Sequence, residues 1–449
     1  MKRLLVIAYY FPPSCASGVF RTLAFVRHLS ANGWDITVLT LDPPTSSKEG
    51  QLLARVPENV RVVRARERDL FYLWTRLKKS CIEAGSKEQG ASVSSVPPCS
   101  AGSKNQGMLA TIKEQCSSLV KIPDSQAGWF FPALFKGRSL EKPDVIYSSA
   151  PPFTGHVVGA LLKKKWKVPL VVDFRDPWGG NPFRPSYGGF AERWDRILEQ
   201  WVMRASNRIL ANTKPMADMI KQRFPAYKNK VSVLTNGFDP EEFEGIQPFR
   251  EFPPERFLLV HPGVLYGKRN PLPFLRAVRD AVHEKGMRDI LVVFIGQYES
   301  FEGKALETHL KEMRLTEHVL LLPPMSHDRV FSVMKGADLL LLLALGTTLQ
   351  VPAKLFEYMG IGKPIFGICE PESATLEIMR GLGEGHAWML NNQGDILHQL
   401  EQIYRDWHNG VLHCNGAGES TMKPFLRYNL AMQLHQILNE ECTRGVQES

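Results

Sequence analysis

The chain has 449 residues, with 55 Lys and Arg against 46 Asp and Glu, which gives a formal net charge of +9. About 150 residues per domain is typical, so this length predicts two or three domains, each able to form its own core. A hydrophobic fraction of 44% excludes a mainly disordered chain. No uninterrupted apolar run approaches the ~18 residues that a membrane span needs.

The charge is divided unevenly along the chain. Residues 1–240 hold 35 basic and 19 acidic side chains, a net of +16, whereas residues 241–449 hold 20 and 27, a net of −7. This asymmetry predicts that the first half faces an acidic partner. The 7 Cys include no C-x-x-C pair, which is typical of a reducing cytoplasm and gives no zinc signature. We therefore expect a cytoplasmic protein.

The first half begins with the pattern strand, loop, helix, strand. Residues 3–9 are apolar without a helical period, and residues 18–31 have apolar positions at helical spacing before Gly33. The same criteria predict strands and helices in alternation further along: strands at 36–41, 144–147, 170–173, 208–211 and 231–234, and helices at 154–166 and 190–205. Such alternation predicts an α/β fold with a doubly wound parallel sheet.

The pattern begins again after Asn236-Gly237. Strands are predicted at 257–261, 290–296, 319–322, 339–343 and 364–368, with a helix from about residue 273. Two successive α/β halves imply two Rossmann-like domains, at 1–240 and 256–420. Residues 84–106 are rich in Ser, Gly, Lys and Gln and are interpreted as a flexible insertion.

Several catalytic motifs are absent from the sequence. Residues 263–269 resemble a P-loop, but they have three residues between the glycines and Arg269 in place of the Ser or Thr that would hold Mg²⁺. The sequence has no G-x-S-x-G, no H-E-x-x-H, no D-x-D and no G-x-G-x-x-G. These absences argue against an ATPase, a zinc protease and a dinucleotide-binding enzyme, and we expect no metal site.

The most specific stretch is residues 351–365, VPAKLFEYMGIGKPI. It predicts a short helix that carries Glu357, ends at Gly362 and cannot continue past Pro364. The start of such a helix can receive a diphosphate through its free backbone N–H groups and its positive dipole end. Glu357, one turn further, can accept hydrogen bonds from ribose hydroxyls. The alternative is that Glu357 is an ordinary solvated helix residue.

This stretch resembles the C-terminal signature of the retaining glycosyltransferases of family 4, which have the GT-B fold. The resemblance is to the members that make bacterial cell-surface polysaccharides. Other segments resemble further motifs of that family: Tyr9-Tyr10-Phe11-Pro12-Pro13 with Gly18 and Arg21, Ser148 to His156, Asp173-Phe174-Arg175-Asp176-Pro177-Trp178, Val233 to Asp239, and His261-Pro262-Gly263 to Asn270-Pro271. The resemblance therefore covers nearly the whole chain.

The resemblance implies two Rossmann-like domains facing across a cleft, with a final helix at 424–440 that crosses back to the N-terminal domain. It implies transfer of a sugar from a UDP- or GDP-linked donor to an acceptor, with retained anomeric configuration and without a metal or cofactor. The donor would bind the C-terminal half through these residues: Gly263, Lys268, Arg269, Thr347, Thr348, Lys354, Leu355 and Glu357. Lys268 and Arg269 would neutralise the leaving phosphate, unless they are merely an exposed basic loop.

The acceptor would lie against the N-terminal half, near these residues: Gly18, Arg21, Ser149, Asp173, Arg175 and Asp176. The alternative for the last three is a structural ion-pair cluster. Many relatives have His where Ser149 stands, and a first Glu where Leu349 stands, eight positions before Glu357. The catalytic side chain is therefore not assigned, the candidates being Lys268, Arg269 and His156, and His156 could equally be a packing residue. Leu349 also leaves open a catalytically inactive GT-B scaffold.

Clusters that mix basic and aromatic residues occur at 61–79, at Trp129-Phe130-Phe131 between Lys121 and Lys136, and at 163–167. Such clusters suit an anionic membrane surface, which predicts a peripheral protein on the inner membrane face with a lipid-linked or polysaccharide acceptor, as in lipopolysaccharide synthesis. Solvated basic faces with buried aromatics are the alternative. A protein that binds single-stranded nucleic acid is a rival, but the 261–271 and 351–365 loops and the acidic second half argue against it, so we expect no nucleic-acid partner.

Overall fold

The computed structural model describes residues 1–16, 18–43, 50–68, 122–182, 184, 189–249, 252–383, 386–390, 392–413 and 419–447. The chain forms two compact units. The first comprises Met1–Leu210, Lys221–Ser232 and His435–Ser449, and the second comprises Ala211–Ile220 and Val233–Leu434. The expected insertion at 84–106 lies outside the described residues.

The first half of the chain is built on a parallel sheet. Its strands in the described residues are β1 (Lys2–Ala8), β2 (Trp34–Leu41), β3 (Arg61–Ala65), β4 (Val145–Ala150), β5 (Leu170–Phe174), β6 (Arg208–Ala211) and β7 (Val231–Val233). The strand order is β3-β2-β1-β4-β5-β6-β7. Because β1 pairs in parallel with both β2 and β4, the connections reverse direction between β1 and β4, at the kind of switch point where α/β proteins bind ligands.

Helices connect these strands. They are α1 (Gly18–Ala31), α2 (Gly50–Ala54), α3 (Phe130–Arg138), α4 (Thr154–Trp166), α5 (Gly189–Ala205) and α6 (Lys214–Arg223). The predicted bounds of α1 and α4 are confirmed. β3 was not predicted as a strand, because its two arginines, Arg61 and Arg64, were assigned to a basic surface cluster.

The second half repeats the design. Its strands are β8 (Phe257–Pro262), β9 (Ile290–Ile295), β10 (Val319–Leu322), β11 (Leu339–Ala344), β12 (Ile365–Cys369) and β13 (Ala387–Leu390), in the order β10-β9-β8-β11-β12-β13. Its helices are α7 (Leu272–His283), α8 (Leu306–Glu312), α9 (His327–Gly336), α10 (Ala353–Ile361), α11 (Ala374–Gly381), α12 (Gln393–His408), α13 (Glu419–Met422) and α14 (Arg427–Gln447). Here the switch point lies between β8 and β11.

The central strand β8 shows why the second sheet is covered on both faces. Phe257 and Leu259 belong to one hydrophobic core, whereas Leu258 and Val260 belong to another. Successive side chains of a strand point to opposite faces, so each face of the sheet has its own core. The prediction of two doubly wound parallel α/β sheets is confirmed.

The last turns of α14 belong to the first unit. The indole N–H of Trp34 hydrogen-bonds to Nδ1 of His435 at 3.1 Å, and Arg208 forms an ion pair with Glu441 at 3.0 Å. Because Glu441 is buried, this pair holds α14 firmly. In the described part of the chain, no helix has both the length and the apolar composition of a membrane span.

Candidate functional site

Two glycines, one in the loop after β8 and one in the loop after β9, pack backbone to backbone. Gly263 has φ +128° and Gly296, after β9, has φ +151°. A Cβ added to Gly296 would collide with the carbonyl oxygen of Gly263, and the N–H of Gly263 donates to the carbonyl of Ile295 at 2.6 Å. Side chains are excluded from both positions, so neighbouring groups can approach the backbone at the carboxyl end of β8 closely.

The side chain of Lys354, the second residue of α10, lies on Gly263. A Cβ on Gly263 would overlap Nζ of Lys354. Burial, together with the nearby charge of Arg269, lowers the pKa of Lys354 to about 8, and Glu357 opposes the shift. Two basic side chains therefore converge at the carboxyl end of β8, which creates a positive site in the second unit.

Lys268 and Arg269 are held by different contacts. A Cβ on Gly346, which has φ +85°, would be 2.6 Å from Cβ of Lys268, so Lys268 lies on the loop after β11. The guanidinium of Arg269 is 5.1 Å from the ring centroid of Tyr266. The predicted donor loops after β8 and β11 are thus brought together at the switch point.

The loop after β11 also carries Thr347 and Thr348. Thr347 is partly buried and its hydroxyl accepts a hydrogen bond from the N–H of Leu349 at 3.3 Å. The side chain of Thr348 is less enclosed, and its carbonyl accepts from the N–H of Ala374 at 2.9 Å. These two contacts fix the backbone of the loop on either side of Thr348.

Helix α10 begins after Pro352, whose side chain supplies no cap hydrogen bond. The first N–H groups of the helix therefore remain for a ligand. Leu355 was predicted to contact the donor, but its side chain is fully buried and its N–H donates to the carbonyl of Pro352 at 3.0 Å. Leu355 anchors the helix start in the core and does not itself face a ligand.

Glu357 lies one turn into α10 and is partly buried. Burial raises its pKa, while His327, Lys354 and Arg427 lower it. Arg427 is also bound to Glu242, at 2.8 Å, and to Asp239. Burial outweighs the nearby cations, so the pKa of Glu357 is raised overall, and Lys354 and Arg427 are the cations that oppose this shift.

His261, in β8, was not predicted as a site residue. It is buried, and its Nδ1 lies 2.7 Å from the carbonyl of Leu341, which makes Nδ1 the donor. Burial, Lys354 and Arg269 lower the pKa of His261 to about 3. The ring is therefore neutral beneath the basic site. A histidine within an apolar strand run was the signal that could have identified it.

In the first unit, Arg21 and Asp173 form a buried ion pair. Arg21 donates through Nε and Nη2 to the two carboxylate oxygens of Asp173, both at 3.0 Å. The hydroxyls of Tyr147 and Ser149 donate to the same carboxylate at 2.6 Å and 3.2 Å. Arg21, Ser149 and Asp173 are all buried. Their expected contact with an acceptor is not compatible with this burial. For Asp173, the alternative of a structural ion pair describes the arrangement.

Arg175 and Gly18 lie together at the carboxyl end of the first sheet. A Cβ on Gly18 would overlap Nη1 of Arg175, and the guanidinium also donates to the carbonyl of Pro151. Burial lowers the pKa of Arg175, and Asp176 and Asp173 oppose that shift. Both Arg175 and Asp176 keep some exposed surface, so they remain candidates for acceptor contact.

His156 has no exposed surface. Its Nδ1 lies 2.9 Å from the hydroxyl of Ser148 and its ring centroid 4.6 Å from that of Phe174. Burial lowers its pKa to about 3. A neutral ring enclosed in the core cannot touch a substrate in this conformation, so His156 is a packing residue and not a catalytic candidate.

A cavity of about 560 Å³ opens beside the loop after β5. Asp195 and Glu199, one turn apart on the buried face of α5, hold Arg184 at 2.7 Å and Arg223 at 2.9 Å. Its other lining residues include Trp178, Gly180 and Asn181. The lining contains three arginines, Arg184, Arg196 and Arg223, and three carboxylates, Glu192, Asp195 and Glu199. These charges balance, so the lining suits a neutral polar ligand better than an anion. Sequence reasoning missed this cavity; the signal was the pair of acids on an otherwise buried helix face.

The predicted membrane clusters are partly structural. Trp129 is fully buried and its indole N–H donates to the carbonyl of Ala65 at 3.0 Å. Trp166 is also buried, and Arg64 donates to the carbonyl of Leu41. The two indole rings therefore do not meet a membrane as predicted. Phe131, Lys136, Lys164 and Lys165 of the predicted clusters are exposed, whereas the predicted positions within 69–121 lie outside the described residues.

Within the ranges that the structure describes, no three His, Cys, Asp or Glu side chains are grouped as metal ligands. The positive charge of the second-unit site comes from Lys354, Lys268 and Arg269. That arrangement can bind an anionic group by hydrogen bonds and direct charge, in addition to the helix N-terminus.

Comparison with known proteins adds to this geometry. Residues 19–237 match the family described as a glycosyl transferase 4-like domain. The D-inositol 3-phosphate glycosyltransferase 2 of Catenulispora acidiphila is 26% identical over 193 residues, 40% of this chain and 45% of that protein. The D-inositol 3-phosphate glycosyltransferase of Streptomyces bingchenggensis is 24% identical over 280 residues, 59% of each. The chain thus spans about half the length of the curated relatives it matches.

Among solved structures, HepE of Anabaena in complex with UDP-glucose is similar, with a TM-score of 0.63 and 13% identity over 98% of this chain and 100% of that chain. The same protein has been crystallised with UDP. At this identity the likeness establishes the fold of the chain.

Proposed function

Because residues 19–237 match the glycosyl transferase 4-like family and the chain has the GT-B fold, we propose that this protein transfers a glycosyl group from a nucleotide sugar to an acceptor with retained anomeric configuration. The proposal rests on one observation above all: Lys354 lies on Gly263, beside Arg269 and the start of α10. This is a site for a diphosphate at the carboxyl end of a parallel sheet.

In this proposal Lys354, Lys268 and Arg269 neutralise the charge that develops on the diphosphate as the glycosidic bond breaks. Such preorganised charge makes the largest single contribution to the rate enhancement of many enzymes. It does the work that a divalent cation does elsewhere, so we propose a metal-independent reaction without a cofactor. The sequence agrees, since it has no D-x-D motif.

Glu357 completes the donor site by accepting hydrogen bonds from the ribose hydroxyls. Its place one turn beyond the diphosphate-binding helix start suits a nucleoside diphosphate. We propose a UDP-linked sugar rather than a GDP-linked one, because the structurally similar HepE is seen with UDP and UDP-glucose. Thr347 and Thr348, on the loop after β11, are proposed to contact the sugar.

The acceptor is proposed to bind the first unit near Gly18, Arg175 and Asp176, and in the cavity beside the loop after β5. The charge-compensated lining of that cavity favours a neutral glycan, and we propose a polysaccharide or lipid-linked glycan acceptor. The protein would then act in the cytoplasm, at the inner face of the membrane. The related enzymes named above act, by their names, on an inositol phosphate, which makes that compound the first alternative to assay.

The test is a turnover assay with a panel of UDP- and GDP-sugars, with a membrane extract and with inositol 3-phosphate as acceptors. We expect release of UDP from one UDP-sugar, in the presence of a chelator, and a product whose anomeric signal in NMR matches the donor. Lys354→Met is expected to lose the activity, and Glu312→Ala, on the exposed side of α8, to keep it. No turnover with any donor, in protein that binds UDP, would favour the inactive GT-B scaffold for which Leu349 gives grounds.

A further inference from the structure

Helix α5 carries large apolar side chains on the face that points away from the protein. Phe190, Trp194 and Ile197 stand at helical spacing, and they are 57%, 48% and 46% exposed. The opposite, buried face of the same helix carries the acidic Asp195 and Glu199. A surface helix normally shows the reverse pattern, with its apolar side inward. Packing among the described residues of the first unit therefore does not explain the outward apolar stripe of α5.

Helix α3 shows the same feature. Phe131 and Phe135, four residues apart, are 66% and 80% exposed. α3 packs on α4, which packs on α5, and the contact is close, since a Cβ on Gly137 would be 2.7 Å from Cδ1 of Leu162. The two apolar stripes thus belong to one helical layer of the first unit.

The charges on this layer are almost all positive. The sequences of α3 and α4 contain no acidic residue, and the exposed acidic residue of α5 is Glu192. The exposed basic residues of the three helices are Lys136, Arg138, Lys164, Lys165, Arg193, Arg196 and Arg204. A positive layer that exposes aromatic side chains complements a negatively charged surface able to take up apolar groups.

We infer that the exposed apolar side chains of α3 and α5 dock on an anionic lipid bilayer. These side chains, here named the α3–α5 surface, are Phe131, Phe135, Phe190, Trp194 and Ile197. Aromatic rings and arginines favour the boundary between lipid head groups and acyl chains. A second copy of the chain is a poorer partner, because a symmetric dimer through this surface would bring positive charges face to face. The inference rests on the proposed function in one respect: a protein docked through this surface would meet a lipid-linked acceptor in the bilayer.

The test is flotation of the 449-residue chain with vesicles of phosphatidylcholine alone and of phosphatidylcholine mixed with phosphatidylglycerol. We expect the protein to float with the mixed vesicles and to be released by high salt. The double variant Phe190→Ser/Trp194→Ser is expected to lose about tenfold in bound fraction, because both rings leave the interface. Val411→Ser, which changes a side chain that is 53% exposed in the second unit, is the matched control and is expected to bind normally.

Folding and the donor site are checked in the same samples by circular dichroism and UDP binding, which the exposed substitutions are expected to leave unchanged. Equal binding to neutral and anionic vesicles, or normal flotation of the double variant, would overturn the inference. Two other results would also overturn it, if the wild-type chain does not bind vesicles. One is a dimer, detected by sedimentation, that the double variant no longer forms. The other is binding to a single-stranded oligonucleotide that the double variant no longer shows. Because flotation uses no sugar donor, a failure to float would not contradict the proposed reaction. A failure of turnover would likewise not contradict membrane docking by the α3–α5 surface.

Discussion

The ammonium group of Lys354 lies so close to Gly263 that it occupies the place a Cβ at position 263 would need. The two residues come from different ends of the site, one from the loop after β8 and the other from the start of α10. Their contact brings the cation to an open stretch of backbone at the switch point of the second sheet. The proposed diphosphate site depends on this contact.

Replacing Gly263 by Ala should therefore weaken UDP binding. The added Cβ must displace Lys354, and φ +128° strains any side chain. We expect roughly a tenfold or greater loss in UDP affinity, measured by calorimetric titration. Gly286→Ala is the control, because Gly286 also has a positive φ, +71°, but a Cβ there meets nothing within 4 Å. Equal loss in both variants would mean that backbone strain, and not the lysine contact, accounts for the effect.

UDP binding should weaken as the pH rises through about 8. The pKa of Lys354 is lowered to about 8, so the free protein loses this charge above that pH, and the diphosphate needs it. If the protonated form alone binds, affinity falls about tenfold between about pH 7 and about pH 9. Lys354→Arg keeps its charge across that range and should give a flat profile. A wild-type profile without this decline would show that Lys354 does not bind the diphosphate.

Glu357→Ala should weaken the binding of the nucleoside part of UDP and leave the binding of the diphosphate part unchanged. Loss of hydrogen bonds to a carboxylate weakens binding by roughly 10- to 100-fold, so UDP affinity should drop by that order. Pyrophosphate has no ribose, and its affinity should be unchanged or slightly higher because a nearby negative charge is gone. Glu312→Ala, on an exposed carboxylate paired with Lys304, should change neither. Parallel losses for UDP and pyrophosphate would rule out the ribose role.

Asp173→Asn should destabilise the protein without changing UDP affinity. It leaves the buried Arg21 without a counter-charge, and breaking a buried ion pair from one side costs about 3–5 kcal/mol in free energy of unfolding. The exposed pair of Arg3 and Glu141 provides the control, since Glu141→Gln should change stability by less than about 1 kcal/mol. Urea denaturation measures both. A stable Asp173→Asn protein that has lost only turnover would restore Asp173 to the acceptor site.

Local sequence pattern predicted what depends on neighbouring residues. The bounds of α1 and α4, and the short helix α10 that ends at Gly362, follow from hydrophobic spacing and helix stop signals; Gly362 indeed has φ +73°. The Arg21–Asp173 pair joins residues 152 positions apart, and no local signal reveals such a contact.

The burial of Trp129, His156 and Leu355 likewise depends on packing between distant elements. Each of the three was assigned to a functional surface because its residue type and neighbours suit one. The structure instead places all three side chains in the core, and only the fold of the whole unit could have shown this.

The exposed stripe on α5 shows the opposite case, in which side chains that suit a core lie on the surface. Phe190, Trp194 and Ile197 have the spacing of a core face, and nothing in the sequence distinguishes an apolar face that is buried from one that is not. Their exposure follows from the three-dimensional structure, in which Asp195 and Glu199 take the inner side of the helix.

The proposed function depends on binding of a nucleoside diphosphate by the second unit through Lys354. The most direct measurement is calorimetric titration of UDP into the wild-type chain and into Lys354→Met, at neutral pH. We expect saturable binding at one site by the wild-type chain and a loss of affinity of at least about tenfold in the variant. Absence of UDP binding by the folded wild-type chain, or equal affinity in the variant, would contradict it.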